Sequence, residues 1–140
     1  DISEIISDLG LGEVRRELGL RVAYHDACSL QHAQRIQGPP RDLLTAIGCT
    51  VVEVPDAHIC CGSAGTYNLL ERQYSAQLLA RKAANIELTA ADVVAAGNIG
   101  CIEQLARGTK LPVLHTVELL DWGTGGPVPE ILKRLGRFQL

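Results

Sequence analysis

A chain of 140 residues, 46% hydrophobic and 21% charged, has the size and mix of one globular domain, long enough to bury a core without staples. A formal charge of −3 and a pI near 5.8, with no basic stripe, argue against a nucleic-acid surface. No apolar run approaches the ~20 residues needed to cross a bilayer, and no signal-peptide pattern opens the chain, so no transmembrane segment is expected.

The opening DISEIISDLGLGEVRRELGL, residues 1–20, is mildly helical and ends in glycines, which suits a linker or connecting helix. With no methionine at position 1 or elsewhere, the chain is expected to be a fragment of a longer protein. RVAYH at 21–25 is a short apolar run of the kind found in buried strands. A loop with a short helix follows and stops at Gly38; Pro39 and Pro40 then open a helix that Gly48 ends. TVVEVP at 50–55 is β-branched and closed by Pro55, so it predicts a second strand. The longest helical pattern covers 66–88, with Leu69, Leu70, Leu78, Leu79 and Ile86 at near-helical spacing. DVVAA at 92–96 predicts a third strand, 98–108 a turn into a helix, and LPVLH at 111–115 a fourth strand. Short helices are expected at 116–123 and 129–135.

Strand and helix alternate four times, which implies parallel strands joined by right-handed helical crossovers. The expected fold is α/β: a small doubly wound, Rossmann-like parallel four-stranded sheet with helices on both faces, spanning 21–140. In such sheets, function gathers outside the carboxyl ends of the strands.

The five cysteines test that rule. An odd number of thiols without a secretory leader favours reduced, intracellular cysteines in ligand or redox roles over a disulfide framework. Cys28 falls three residues past the first strand, Cys60 and Cys61 beyond the second and just before the long helix, and Cys101 five residues past the third. All four are expected at one edge of the sheet. Cys49 precedes the second strand and is placed about 20 Å away, from six residues at ~3.3 Å each, as a core residue. Soft sulfur donors beside helix N-termini select an iron–sulfur cluster or zinc over magnesium or calcium. Gly62 and Gly65 allow backbone amides to approach the sulfurs. His25, three residues before Cys28, and His58, two before Cys60, are read as residues behind the ligands rather than ligands themselves. Cysteines filling a glycine turn are the plain alternative. No GxGxxG or Walker pattern is present, so a nucleotide site is not expected.

YHDAC at 24–28, CCG at 60–62 and GNIGC at 97–101 together resemble the cysteine-rich CCG domain family. That domain occurs in heterodisulfide reductases and in iron–sulfur subunits of glycolate, lactate and glycerol-3-phosphate oxidising systems. Its pattern is C, 31 to 39 residues, CC, 35 or 36 residues, CxxC; here 31 residues separate Cys28 from Cys60 and 36 separate Cys61 from Asn98. CCGSAGTYN, AAGNIGC and HTVELLDW look most like the glycolate oxidase branch, in its C-terminal part, and the resemblance covers about residues 20–128. One departure stands out: Asn98 takes the place of the first cysteine of CxxC, and is expected to cap its helix. Four thiols remain instead of five, a count that suits a cubane 4Fe–4S cluster, a zinc site or a site that binds nothing.

The resemblance implies that Cys28, Cys60, Cys61 and Cys101 hold the metal, with His25, His58, Gly62 and Asn98 behind them. It implies an electron-transfer domain of a glycolate (2-hydroxy acid) oxidase complex, taking electrons from a partner flavoprotein towards the quinone pool. It further implies a cytoplasmic location, peripheral on the cytoplasmic side of the inner membrane through the complex. Nothing in the chain's own residues would oxidise glycolate. The rival expectation is a structural zinc or metal-free module that mediates subunit interaction. A thiol enzyme is less favoured, because no CxxC redox motif is present.

Overall fold

The computed structural model of the chain describes residues 1–136. Its elements, in order, are α1 (Ile2–Leu9), β1 (Arg21–His25), a π-helical turn (Ser29–Gln34), α2 (Gly38–Ala46), β2 (Thr50–Val52), α3 (Tyr67–Leu70), α4 (Arg72–Glu87), β3 (Val93–Ala96), α5 (Ile99–Ala106), β4 (Val113–His115), α6 (Thr116–Gly123) and α7 (Glu130–Arg134). The four strands form one sheet in the order β2-β1-β3-β4, every pair parallel. The α/β sheet with helices on both faces is therefore the observed architecture.

Each strand sends alternate side chains to opposite faces, and the two cores sort accordingly. Val22 and Tyr24 of β1, Val93 and Ala95 of β3, and Leu114 of β4 join Leu43, Leu44 and Ile47 of the α2 region, Leu119, Leu120 and Trp122 of α6, and Leu132 of α7. Ala23, Val94 and Val113 face the other way, onto Leu30, Ile86, Cys101 and Leu105. β3 is fully buried along its length, as expected for a parallel strand covered by helices on both sides.

Residues 1–20 lie on the first of these faces. Asp1 caps α1 in a capping box with Glu4, and Ile6, Leu11 and Leu18 pack against the core. The amide of Leu18 donates to Ile47 O at 2.9 Å and that of Gly19 to Gly48 O at 3.2 Å.

Two elements differ from expectation. β2 ends at Val52 rather than at Pro55, because Glu53 turns out to an exposed ion pair with Arg41 and Asp56 enters a left-handed turn at φ 53°. The long helix is broken at Glu71, whose φ of −112° and ψ of 55° separate α3 from α4. Leu69 and Leu70 are consequently exposed, at 63% and 78%, rather than part of the buried stripe.

Candidate metal centre

β1 lies between β2 and β3, so the crossovers leave it in opposite directions and open a crevice at the carboxyl ends of these three strands. The loops after them carry the sulfurs. Cys28, Cys60, Cys61 and Cys101 line one cavity of about 270 Å³, together with Ala27, Ser63 and Asn98 among others. Cys49 lies at the opposite end of β2, 5% exposed and packed in the other core. The cavity is far larger than the ~10–15 Å³ that a single water-sized guest occupies.

The double-cysteine loop is wound tightly. Asp56, Gly62, Ala64 and Gly65 all have positive φ, at 53°, 89°, 36° and 63°. The two glycines adopt such angles freely, whereas at Asp56 and Ala64 they are strained and persist only where the surroundings over-determine them. The surroundings do so through buried polar side chains. Ser75 Oγ donates to Gly62 O at 2.8 Å, and Gln104 Nε2 donates to Ser75 Oγ at 2.9 Å, tying the loop to α4 and α5. Lys82 Nζ, on a residue only 1% exposed, donates to Asp56 O at 2.9 Å and Ala57 O at 3.2 Å. Sequence reasoning missed Ser75, Lys82 and Gln104, because polar residues on a helix read as its solvent face; for Ser75 and Lys82 the available signal was their helical spacing with the buried Ala83 and Ile86.

Gly62 N donates to Cys60 Sγ at 3.3 Å, the kind of amide contact that tunes a cluster. Asn98 caps α5: its Oδ1 accepts from Gly100 N at 2.9 Å and Cys101 N at 3.3 Å. Its side-chain oxygen is thus committed to the helix while the residue still lines the cavity. His58 does not reach the cavity; it is exposed, and its carbonyl meets His32 Nε2 at 3.2 Å. His25 is 1% exposed, and its Nε2 has no hydrogen-bond partner. An imidazole nitrogen of His25, Cys61 Sγ and Cys101 Sγ all lie within 4.8 Å of one another.

The thiols differ in acidity. Burial, then the neighbouring Cys60, raises Cys28. Hydrogen bonding to Cys61, then burial, raises Cys60 well above the ordinary thiol range. Hydrogen bonding from Cys61 draws Cys101 below its ordinary value, despite burial. Thiolates, not thiols, bind metals, so a guest must displace protons from Cys28 and Cys60. Burial lowers the Lys82 ammonium, while the adjacent Cys61 and Cys28 favour its charge. The donor set is soft, a ring nitrogen of His25 lies beside two of the sulfurs, and a cation stands behind them. These residues fit an iron–sulfur cluster or a thiophilic ion.

The chain is also similar to known proteins. Residues 22–106 match the cysteine-rich domain family, known as CCG. The chain is 34% identical over 121 residues to the glycolate oxidase iron–sulfur subunit of Escherichia coli K12, covering 86% of this chain and 30% of that protein. It is 32% identical over 132 residues to the "Probable glycolate oxidase iron-sulfur subunit" of Bacillus subtilis 168, with 86% and 29% covered. Lactate utilization protein A of Oceanobacillus iheyensis is 26% identical over 128 residues, with 86% and 52% covered. The chain spans about a third of the length of the glycolate oxidase relatives and about half of the lactate utilization protein.

Proposed function

The chain belongs to the cysteine-rich CCG domain family, and on that premise we propose that it is an iron–sulfur electron-transfer domain of a 2-hydroxy acid oxidase complex. Cys28, Cys60, Cys61 and Cys101 would hold a 4Fe–4S cluster. The observation that carries this reading is the meeting of four thiols from three sequence-distant loops in one cavity at the switch point of the sheet.

When bound, such a cluster supplies one-electron storage at a potential set by charge, hydrogen bonds to sulfur and exposure. The chain's residues supply the setting. Ser75, Gln104 and Lys82 fix the loop bearing Cys60 and Cys61, Gly62 N donates to Cys60 sulfur, and Asn98 orients the first turn of α5 beneath Cys101. The Lys82 ammonium offsets anionic charge in the cavity, which favours the reduced state. The relatives' names support the glycolate oxidase and iron–sulfur parts of the reading. In the proposed complex, a flavoprotein subunit delivers electrons from the 2-hydroxy acid, and they pass on towards quinone. The domain would then be the CCG portion, 21–140, of a longer iron–sulfur subunit on the cytoplasmic side of the membrane. Among the described residues no helix is long and apolar enough to cross a membrane.

Anaerobic reconstitution with iron and sulfide, followed by elemental analysis and EPR of the reduced protein, tests the reading. Iron and sulfide in equal amounts, near four of each per chain, with a reduced-state EPR signal support it. One zinc ion with no sulfide replaces the electron-transfer reading with a structural one.

A further inference from the structure

His25 closes β1, paired in register with Ala96 of β3, two residues before Asn98, and lies beside Cys61 and Cys101 of the cavity lining. Its ring is almost wholly buried, at 1% exposure, yet Nε2 meets no donor or acceptor. A buried ring nitrogen without a partner is uncommon in a native protein and calls for a group that the protein chain itself does not provide. That imidazole and the sulfurs of Cys61 and Cys101 lie within 4.8 Å of one another, close enough for three ligand atoms to share one metal. Asn98, which occupies the position of a fifth sulfur in the fuller CxxC spacing, has its side-chain oxygen committed to the amides of Gly100 and Cys101.

We propose that His25 is a direct nitrogen ligand, binding the metal atom nearest Cys61 and Cys101 and completing a donor set of mixed imidazole and thiolate. The inference rests on the reading of the cavity as a metal centre and changes its composition. His25 is thereby moved from a residue behind the ligands to a ligand. Where the fuller pattern supplies a fifth thiolate, this chain has a neutral imidazole, so its donor set carries one negative charge fewer; nitrogen ligation raises the potential of iron–sulfur centres, as His-for-Cys replacement does in Rieske clusters. The same donors accept a single tetrahedral ion, since zinc sites combine cysteine and histidine freely.

The test uses the whole chain with its histidines carrying either natural nitrogen or ¹⁵N. One sample is reconstituted with iron and sulfide and reduced; another is loaded with Co²⁺ alone as a paramagnetic probe of a single-ion site. Pulsed EPR is expected to show a directly coupled nitrogen whose spectrum changes with the isotope. The coupling should vanish in His25→Gln and persist in His32→Gln and His58→Gln. Co²⁺ affinity should fall by more than about 100-fold in His25→Gln, beyond the 10–100-fold typical of a residue that only orients a ligand. The labelled parent chain needs no substitution, so misfolding of His25→Gln does not blunt the result. Iron and sulfide uptake without any coupled histidine nitrogen overturns the inference and leaves the electron-transfer reading standing. Co²⁺ bound through a histidine nitrogen, with no iron or sulfide uptake, supports the inference and removes the electron-transfer reading. A chain that takes up neither guest overturns both.

Discussion

Gly62 sits where a side chain has neither the backbone nor the room. Its φ is +89°, and a Cβ there would lie 2.6 Å from Ser75 O and 3.2 Å from Ser75 Oγ. Gly62→Ala should cost at least about 2 kcal/mol in urea unfolding, from the left-handed strain and the displacement of α4. It should also lower iron retention, because the amide donating to Cys60 moves. Ser75→Ala leaves Gly62 O and Gln104 Nε2 unpaired in the interior, and about 1–3 kcal/mol of lost stability is expected by the same assay. Cys49 gives a cleaner titration, since it stands away from the cavity. Burial raises its thiol from 9.0 to about 11. The folded state therefore holds its proton more tightly than the unfolded one. That contribution is fully present below pH 9 and fades as pH climbs towards 11, by about 1.4 kcal/mol per unit. Cys49→Val should flatten this part of the alkaline stability curve relative to the parent chain.

At the scale of elements, the helix ends explain more than the helix bodies. α5 starts on the Asn98 cap and α6 on His115, whose Nδ1 accepts from Val117 N at 3.1 Å while Glu118 returns the bond. Asn98→Ala should lower stability by about 1 kcal/mol, measured by thermal or urea unfolding of the metal-free chain. The strands were legible in their letters: VVAA, and Val22 to Tyr24 within RVAYH, are apolar in succession because both faces are covered. The capping by Asn98 was legible as well, since residue type and position agree. The break at Glu71 was not, because leucines at 69 and 70 continue a helical period whatever the backbone does between them. The buried face of α4 was hidden for a physical reason. Ser75 and Lys82 lie inward to satisfy carbonyls of the double-cysteine loop, and that demand comes from another segment of chain. The same held for His25: its letter shows a titratable ring three residues before Cys28, but only the register with β3 brings it beside Cys101.

On the scale of the whole molecule, fold and site are expected to be separable. Two cores cover the two faces of the sheet, and a chain of this length buries about two-thirds of its surface on folding. The metal-free chain should keep its circular dichroism spectrum, and Cys60→Ser should abolish cluster binding while leaving that spectrum nearly native. Away from the cavity, α2 is fastened to β1 and β2 by Arg41. It forks onto Asp26 at 2.8 and 2.6 Å, pairs with Glu53 at 2.9 Å, and stacks over the Tyr24 ring at 4.9 Å. The Arg41 hydrogen bond holds the Glu53 carboxyl below its ordinary 4.5. Its contribution is present above the unfolded value and disappears as pH falls through the lower folded one. Acid unfolding of Arg41→Met should therefore begin from a less stable protein and lack the part of the acid slope that Glu53 supplies.

The order of strands in space also sets an order in time. β3 is third along the chain but lies inside the sheet, between β1 and β4. During synthesis the first three sulfurs of the cavity emerge before the strand that positions the fourth exists. His25 and Cys101 become neighbours only once β3 has docked on β1. On the proposed reading, maturation is thus a late event: an iron–sulfur carrier would find a complete receptor only on a chain that has already folded, and ribosome-bound chains ending before residue 93 should acquire no stable cluster.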